Sequence, residues 1–258
     1  MIMEKEKFDS NLLLEPGERL DEIGFGGLRL IQKPEDFCYG VDAVILADLT
    51  AKYVRRSTET IVDLGTGTGI IPTILSYKTD VPDLIGVEVQ NEAYERALRN
   101  VGINGLEERV SFLHGNVKDV AQWGKPLIGT VDIVTSNPPY TAGKEGMTSD
   151  NRAKMIARHE IMAGLEDFLR CAALLLKEKG DLFMVHRPAR LVDICCFGRA
   201  LGLEPKEMCF VSPNVETKPN ILLVHMVKGG GRQLKMLPPF YVYDMDGNYT
   251  PQLRETYK

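Results

Sequence analysis

Asp63-Leu64-Gly65-Thr66-Gly67-Thr68-Gly69 decides how the rest of this 258-residue chain is read. It follows Thr60-Ile61-Val62 and precedes Ile70-Ile71, so a buried strand, a glycine turn and a helix succeed one another. Glycines between strand and helix permit a tight turn and let a ligand touch the backbone. The spacing is G-x-G-x-G. A dinucleotide fingerprint needs Gly or Ala where Ile70 stands, and a P-loop needs a Lys-Ser/Thr pair that the stretch lacks. The loop is therefore poorly suited to pyrophosphate.

Outward from this loop the pattern repeats. Short apolar runs at 60–64, 84–88, 110–114, 131–135 and 181–186 read as strands. Helical spacing follows at 70–77, 91–104, 165–177 and 191–201, with Ala93, Tyr94, Ala97 and Val101 forming one stripe. Two last strands, 207–211 and 221–227, are expected to pair antiparallel at a sheet edge. Strands alternating with helices predict an α/β, Rossmann-like doubly wound sheet that is mostly parallel. Upstream, 19–32 reads as a glycine-turned hairpin, and Asp42 as the N-cap of a helix from 43 to about 53. The organisation expected is an N-terminal extension (1–35), one main domain (36–230) and a C-terminal tail (231–258), with a polar loop over 140–154 covering the site.

Composition narrows the class. A hydrophobic fraction of 44% and a net charge of −5 suit a globular protein that does not coat nucleic acid indiscriminately. No apolar run is long enough to span a bilayer, and the N-terminus lacks a signal-peptide core, so the default expectation is cytoplasmic. Five cysteines without a C-x-x-C read as reduced thiols, and four scattered histidines argue against a metal site. Charge is uneven: residues 1–22 hold seven acids, whereas 217–243 hold none but carry Lys218, Lys228, Arg232 and Lys235. That stretch is either a solvated face or a phosphate-contacting edge.

Several residues carry chemistry. Glu88 ends the second strand after the hairpin, where a carboxylate can accept two ribose hydroxyls. Asp63 can address an ammonium group or a water near the loop. Gly115-Asn116, after the third strand, can meet an adenine edge. The fourth strand runs into Asn137-Pro138-Pro139-Tyr140. An amide, two rigid prolines and an aromatic ring can hold a planar amine flat; alone, the run could equally be a tight turn.

Together Asp63 to Gly69 (Gly65, Thr66, Gly67 and Gly69 foremost), Glu88 and Gly115-Asn116 resemble the class I S-adenosylmethionine-dependent methyltransferases. That superfamily often has Asp where this chain has Asn116. The resemblance implies a seven-stranded sheet, its last hairpin antiparallel, and S-adenosyl-L-methionine as cofactor. Asn-Pro-Pro-Tyr is the signature of its amino-group methyltransferases, which act on adenine N6, guanine N2 or protein glutamine. It implies that the Asn137 side chain and the Pro138 carbonyl accept the amine's hydrogens, while Tyr140 stacks on a flipped base. Three further pieces, 37–43, Arg158-His159-Glu160 and Lys218-Pro219-Asn220, are similar to the bacterial tRNA1(Val) adenine-37 N6-methyltransferase family. That likeness implies Tyr39 and Asp42 beside the cofactor's methionine end, and Arg158, His159, Arg187 and Lys218 toward tRNA. Asp42 could instead only cap its helix, His159 be an ordinary loop residue, and Arg187 a surface charge. A glutamine-modifying enzyme would usually add an N-terminal helical domain, for which 1–35 is too short. A DNA-modifying one would usually add a target-recognition insertion.

Overall fold

The computed structural model describes residues 14–36, 38–139 and 163–258. It opens with an antiparallel hairpin, β1 (Arg19–Glu22) and β2 (Arg29–Gln32), whose turn uses positive φ at Gly24, Gly26 and Gly27. Helix α1 (Val41–Ala51) leads to β3 (Thr60–Leu64), α2 (Ile70–Lys78), β4 (Asp83–Glu88), α3 (Asn91–Asn104) and β5 (Val110–His114). After a short α4 (Val120–Trp123) come β6 (Val131–Ser136), α5 (Leu165–Leu175), β7 (Leu176–His186), α6 (Leu191–Ala200), β8 (Leu203–Ser212) and β9 (Ile221–Lys228). Two-residue strands β10 (Lys235–Met236) and β11 (Phe240–Tyr241) and helix α7 (Pro251–Glu255) end the chain.

The expected sheet is present. Its order is β10-β8-β9-β7-β6-β3-β4-β5, with β11 also on β8. Strands β5, β4, β3, β6 and β7 are parallel, and β9 runs antiparallel to both β7 and β8. β10 and β11 widen the seven-stranded sheet at its edge, where isolated two-residue pairings give too little periodicity to read from sequence. Three boundaries also differ. α5 stops at Leu175, and β7 begins at Leu176, which pairs with Val131 before a register shift. β8 begins at Leu203 rather than 207, because Leu203 pairs with Lys228 across an irregularity at Pro205.

Each sheet face carries a hydrophobic layer. α1, α2 and α3 cover one with Leu46, Ile74, Leu75 and Ala97; α5 and α6 cover the other with Leu169, Ala172 and Ile194. The segments read as extension and tail contribute to the first layer: Phe25 and Leu30 from the hairpin, and Phe240, Val242 and Leu253 from the C-terminus. Tyr257 stacks on Phe25 at 5.2 Å.

Buried polar residues fasten the hairpin to α3. Asn100 Oδ1 accepts from Ile31 N at 2.6 Å, and its Nδ2 donates to Thr68 O at 2.9 Å, so one amide ties hairpin, helix and glycine loop together. Arg96 Nε and Arg99 Nη1 pair with Glu18 at 2.8 and 2.7 Å. Burial pushes the Glu18 carboxyl up, but Arg99, Arg96 and the Glu15 backbone overcome it and hold the pKa to about 2. Among the described residues no helix is long and apolar enough to cross a membrane.

Candidate active site

The register places the two motifs side by side. β3 pairs with β6 through Leu64 and Ser136, so the glycine loop and Asn137 leave adjacent strands at the same level. Ser136 Oγ donates to Leu64 O at 2.9 Å, and Thr135 Oγ donates to Asp63 Oδ1 at 2.7 Å. Chain direction reverses its order of strands here, the switch point where open α/β sheets form a crevice.

The loop is built from opposed constraints. Gly65, Gly67 and Gly69 have φ of +70°, +57° and +83°, which side-chain-bearing residues resist. A Cβ on Gly69 would lie 2.5 Å from the Phe112 ring, so that glycine is dictated by packing. A Cβ on Gly67 would meet no atom within 4 Å among the described residues. Gly67 therefore turns its bare backbone toward open space, as a ligand-approached glycine should. Its N–H donates to Glu88 Oε2 at 2.9 Å.

Glu88 is buried and does more than await a ligand. Its Oε1 accepts from Val89 N and Gln90 N at 2.9 and 2.8 Å, which steers the entry into α3. A carboxylate has about four acceptor positions. With these bonds and that from Gly67 in place, room remains for one donor on Oε2. Two ribose hydroxyls would require Gly67 or the α3 entry to yield.

Asp63 is 1% exposed, and its Oδ2 has no hydrogen-bond partner among the described residues; nor has the buried Thr66 Oγ. Burial pushes the Asp63 carboxyl up to about 7; the Thr66 and Thr135 hydroxyls oppose the shift and the Glu88 charge adds to it. The Thr66 hydroxyl is near enough to act on that charge without an ordinary hydrogen bond. Two buried polar atoms without an ordinary hydrogen bond, in a loop whose half-buried Gly67 faces open space, are what a polar ligand would satisfy.

The remaining residues are placed as follows. Gly115 N donates to Glu88 O at 2.9 Å, and its bare Cα lies under the Trp123 ring. Asn116 Oδ1 accepts from Lys118 N at 3.0 Å, and Asn116 O accepts from Trp123 Nε1 at 2.8 Å. Asn137 is half-buried, Pro138 buried and Pro139 exposed. Asp42 is not the N-cap of α1: Gly40 holds that position, and Asp42 lies in the first turn with Oδ1 on Ala43 N at 3.0 Å. A Cβ at residue 40 would press on Asp42 Oδ1 at 2.8 Å, so glycine there makes room for the acid. Tyr39, also at this end of α1, is half-buried, and burial with Tyr257, Asp21 and Tyr249 nearby pushes its phenol up to about 12. Tyr140, Arg158 and His159 lie outside the described residues, as does the whole 140–154 loop.

At the end of β7, His186 Nδ1 accepts from Arg187 N at 2.8 Å; burial and the Arg190 and Arg187 charges hold the ring neutral, with a pKa of about 4. Arg187 Nη1 donates to Asn220 O at 2.9 Å, fixing the turn that carries the exposed Lys218. The basic stretch after it divides. β9 runs antiparallel and carries the chain away, so Lys228 ends on Leu176 O at the far end of the sheet, and Lys235 returns on the outer edge strand beside Glu207, below the crevice end. Only Lys218 of that stretch stands with Arg187 at the crevice end. Sequence reasoning missed Thr135, Ser136, Phe112 and Trp123, which support the motifs. Thr135-Ser136, directly before Asn137, carried a readable signal; the two aromatics did not.

The comparisons agree with this geometry. The solved structure of a predicted O-methyltransferase from Agrobacterium tumefaciens matches with a TM-score of 0.67 at 20% identity, over 84% of this chain and 95% of that one. A curated tRNA1(Val) (adenine(37)-N6)-methyltransferase of Cytophaga hutchinsonii is 25% identical over 202 residues, 78% of this chain and 82% of the relative. A release factor glutamine methyltransferase of Agrobacterium fabrum is 32% identical over 158 residues, 59% of this chain and 52% of the relative. The model of the methyltransferase small domain family matches residues 40–192. With glycine loop, Glu88 and Asn137 all inside that span, the chain belongs to the methyltransferase small domain family.

Proposed function

We propose that this protein transfers a methyl group from S-adenosyl-L-methionine to the N6 amine of an adenine in tRNA. The observation that carries the reading is the β3–β6 register, which sets the glycine loop and Asn137 on one crevice. The curated relatives that cover most of both chains support the tRNA substrate, with adenine-37 of tRNA1(Val) as the position.

The residues fit the cofactor. Asp63 Oδ2 and Thr66 Oγ are buried polar atoms without an ordinary hydrogen bond among the described residues, Gly67 leaves its backbone open, and Oε2 of Glu88 can take one more donor. Gly65, Gly69, Gly115 and Asn116 shape the nucleoside side, and Tyr39 and Asp42 the methionine side. When bound, S-adenosyl-L-methionine supplies an electrophilic methyl on a sulfonium. Asn137 and the Pro138 carbonyl accept the hydrogens of an aromatic amine, whose lone pair is otherwise delocalised into its ring. Prolines fix φ and keep those acceptors aimed before the amine arrives. Tyr140 holds the base by stacking, and alignment supplies most of the acceleration. Arg158, His159, Arg187 and Lys218 face the RNA, and the protein works in the cytoplasm with it.

Protein glutamine is the second reading, favoured by the release factor relative. Turnover with labelled S-adenosylmethionine separates them: tRNA becomes labelled under the first reading. Labelling of a release-factor loop and not of tRNA would establish the second.

A further inference from the structure

The C-terminal hairpin presents a pair of partly exposed rings. Tyr243 and Tyr249 bridge antiparallel, with centroids 5.4 Å apart and planes 26° from parallel. They are 41% and 47% exposed, whereas neighbouring Phe240, Val242 and Leu253 are buried. The turn between them is rigid. Asp244 Oδ1 accepts from Asp246 N and Asn248 N at 3.0 and 2.9 Å, and Thr250 N closes on Val242 O at 3.0 Å.

Its position is the crevice end of the sheet. β11 pairs Tyr241 with Ser212, and Tyr243 N donates to Pro213 O at 2.7 Å. β8 reaches Ser212 where β9 begins, and β9 begins where β7 ends at His186. Tyr249 is also close enough to Tyr39 to act on its ionisation, which places the pair by the start of α1. Arg187 and Lys218 are exposed cations at this same end, and Arg19 lies there paired with Asp21 at 2.9 Å.

We propose that Tyr243 and Tyr249 form a stacking platform for an unpaired RNA base flanking the target nucleotide. The proposal rests on the RNA reading above. Any base offers a π-face to such rings, and a pre-formed hairpin loses little freedom when it binds. The cations nearby suit the phosphates on either side of that base.

The test uses the full chain and an RNA stem-loop containing 2-aminopurine beside the target adenine. Tyr243→Ala with Tyr249→Ala should weaken stem-loop binding about 10- to 100-fold. KM should rise with little change in kcat, and binding of S-adenosylmethionine should stay as in wild type. The double Phe variant should behave as wild type, because stacking needs the ring and not the hydroxyl. A folded double-Ala variant that binds the stem-loop unchanged would overturn the proposal. So would a Phe variant as impaired as the Ala one, loss of a protein-loop substrate instead of RNA, or a wild type that does not bind RNA. A wild type that binds and quenches the stem-loop without methylating it would defeat the adenine reading while leaving the platform standing.

Discussion

Asp63 on β3 and Asp181 on β7 are both nearly fully buried, 1% and 4% exposed, and Asp181 is level with Ile133 and Ile61, only two residues below Asp63, yet their surroundings differ. Asp181 is compensated. Its Oδ1 bonds His225 Nε2 at 2.8 Å, and Arg55 lies 3.5 Å from Oδ2. Tyr53 donates to neighbouring Glu207, with Lys235 3.5 Å away, and Phe183 stacks on His225. One gap remains there, His225 Nδ1, 3.9 Å from Glu207. Asp63 has an ordinary hydrogen bond from Thr135 on one oxygen and, among the described residues, none on the other, where only the nearby Thr66 hydroxyl acts on its charge, with an open glycine backbone alongside. Both are acids inside one core, and only the incompletely satisfied one stands where two loops converge. Unmet polar capacity next to bare backbone marks the working site; met capacity marks a cluster that holds neighbouring strands together.

The largest effect expected at the working site is on turnover. Asn137→Ala should lower methyl transfer by about 100-fold or more, the scale of a lost transition-state hydrogen bond. Cofactor affinity, measured by calorimetry, should stay within a few fold. A matching collapse of affinity would make Asn137 a cofactor ligand instead.

Next come the glycines, which separate ligand approach from packing. Gly69→Ala should lower the unfolding midpoint by the equivalent of about 2 kcal/mol or more, since its Cβ would strike Phe112. Gly67→Ala should cost about 1 kcal/mol, for the φ of +57° alone, yet lose S-adenosylmethionine affinity. Denaturant titration and calorimetry on the two variants decide; equal stability losses would remove the distinction.

The acids give a pH signature. Asp63 has a folded pKa raised from 3.8 to about 7, so the folded state binds more protons than the unfolded one between those values. Its contribution to stability therefore falls as pH rises from about 4 to about 7. Asp63→Asn should flatten that fall, most clearly when denaturation midpoints at pH 5 and pH 8 are compared. Asp181→Asn, which weakens a compensated cluster, should lower stability at both pH values and leave the Asp63 slope in place. Glu18 works the other way: its folded pKa of about 2 gives stability that is lost as pH falls below 4.5 toward 2.

The smallest effect divides the basic stretch. Lys218→Ala should weaken tRNA binding a few fold and reduce its salt slope by about 1, while Lys235→Ala, beside Glu207, should change neither. Equal effects in filter binding across a salt series would mean that RNA also reaches the outer β8–β10 edge.

How much of this was legible varied with the range of the interaction. The glycine loop, Glu88 and the strand into Asn137 announce themselves through local spacing, and the structure puts them together because parallel strands of similar length end level. Gly40 replaced Asp42 as the N-cap of α1 because a first-turn acid and an N-cap look alike in sequence. The stripe read on α3 is Ala93, Tyr94, Ala97 and Val101; Arg96 and Asn100 lie outside it, yet both are buried, because their partners Glu18 and Ile31 lie about 70 residues or more away. Lys218 and Lys235 look like one charged run; only the antiparallel course of β9 parts them. Phe112 beneath Gly69 and Trp123 over Gly115 leave no mark in spacing at all.

One measurement bears most directly on the claim that the crevice between the glycine loop and Asn137 methylates an RNA adenine. Unmodified tRNA incubated with the protein and S-adenosylmethionine is digested to nucleosides and analysed by mass spectrometry, with the Asn137→Ala variant alongside. The account predicts N6-methyladenosine with the wild type and almost none with the variant. A methylated guanosine, a label found only on protein, or equal N6-methyladenosine from both proteins would contradict it.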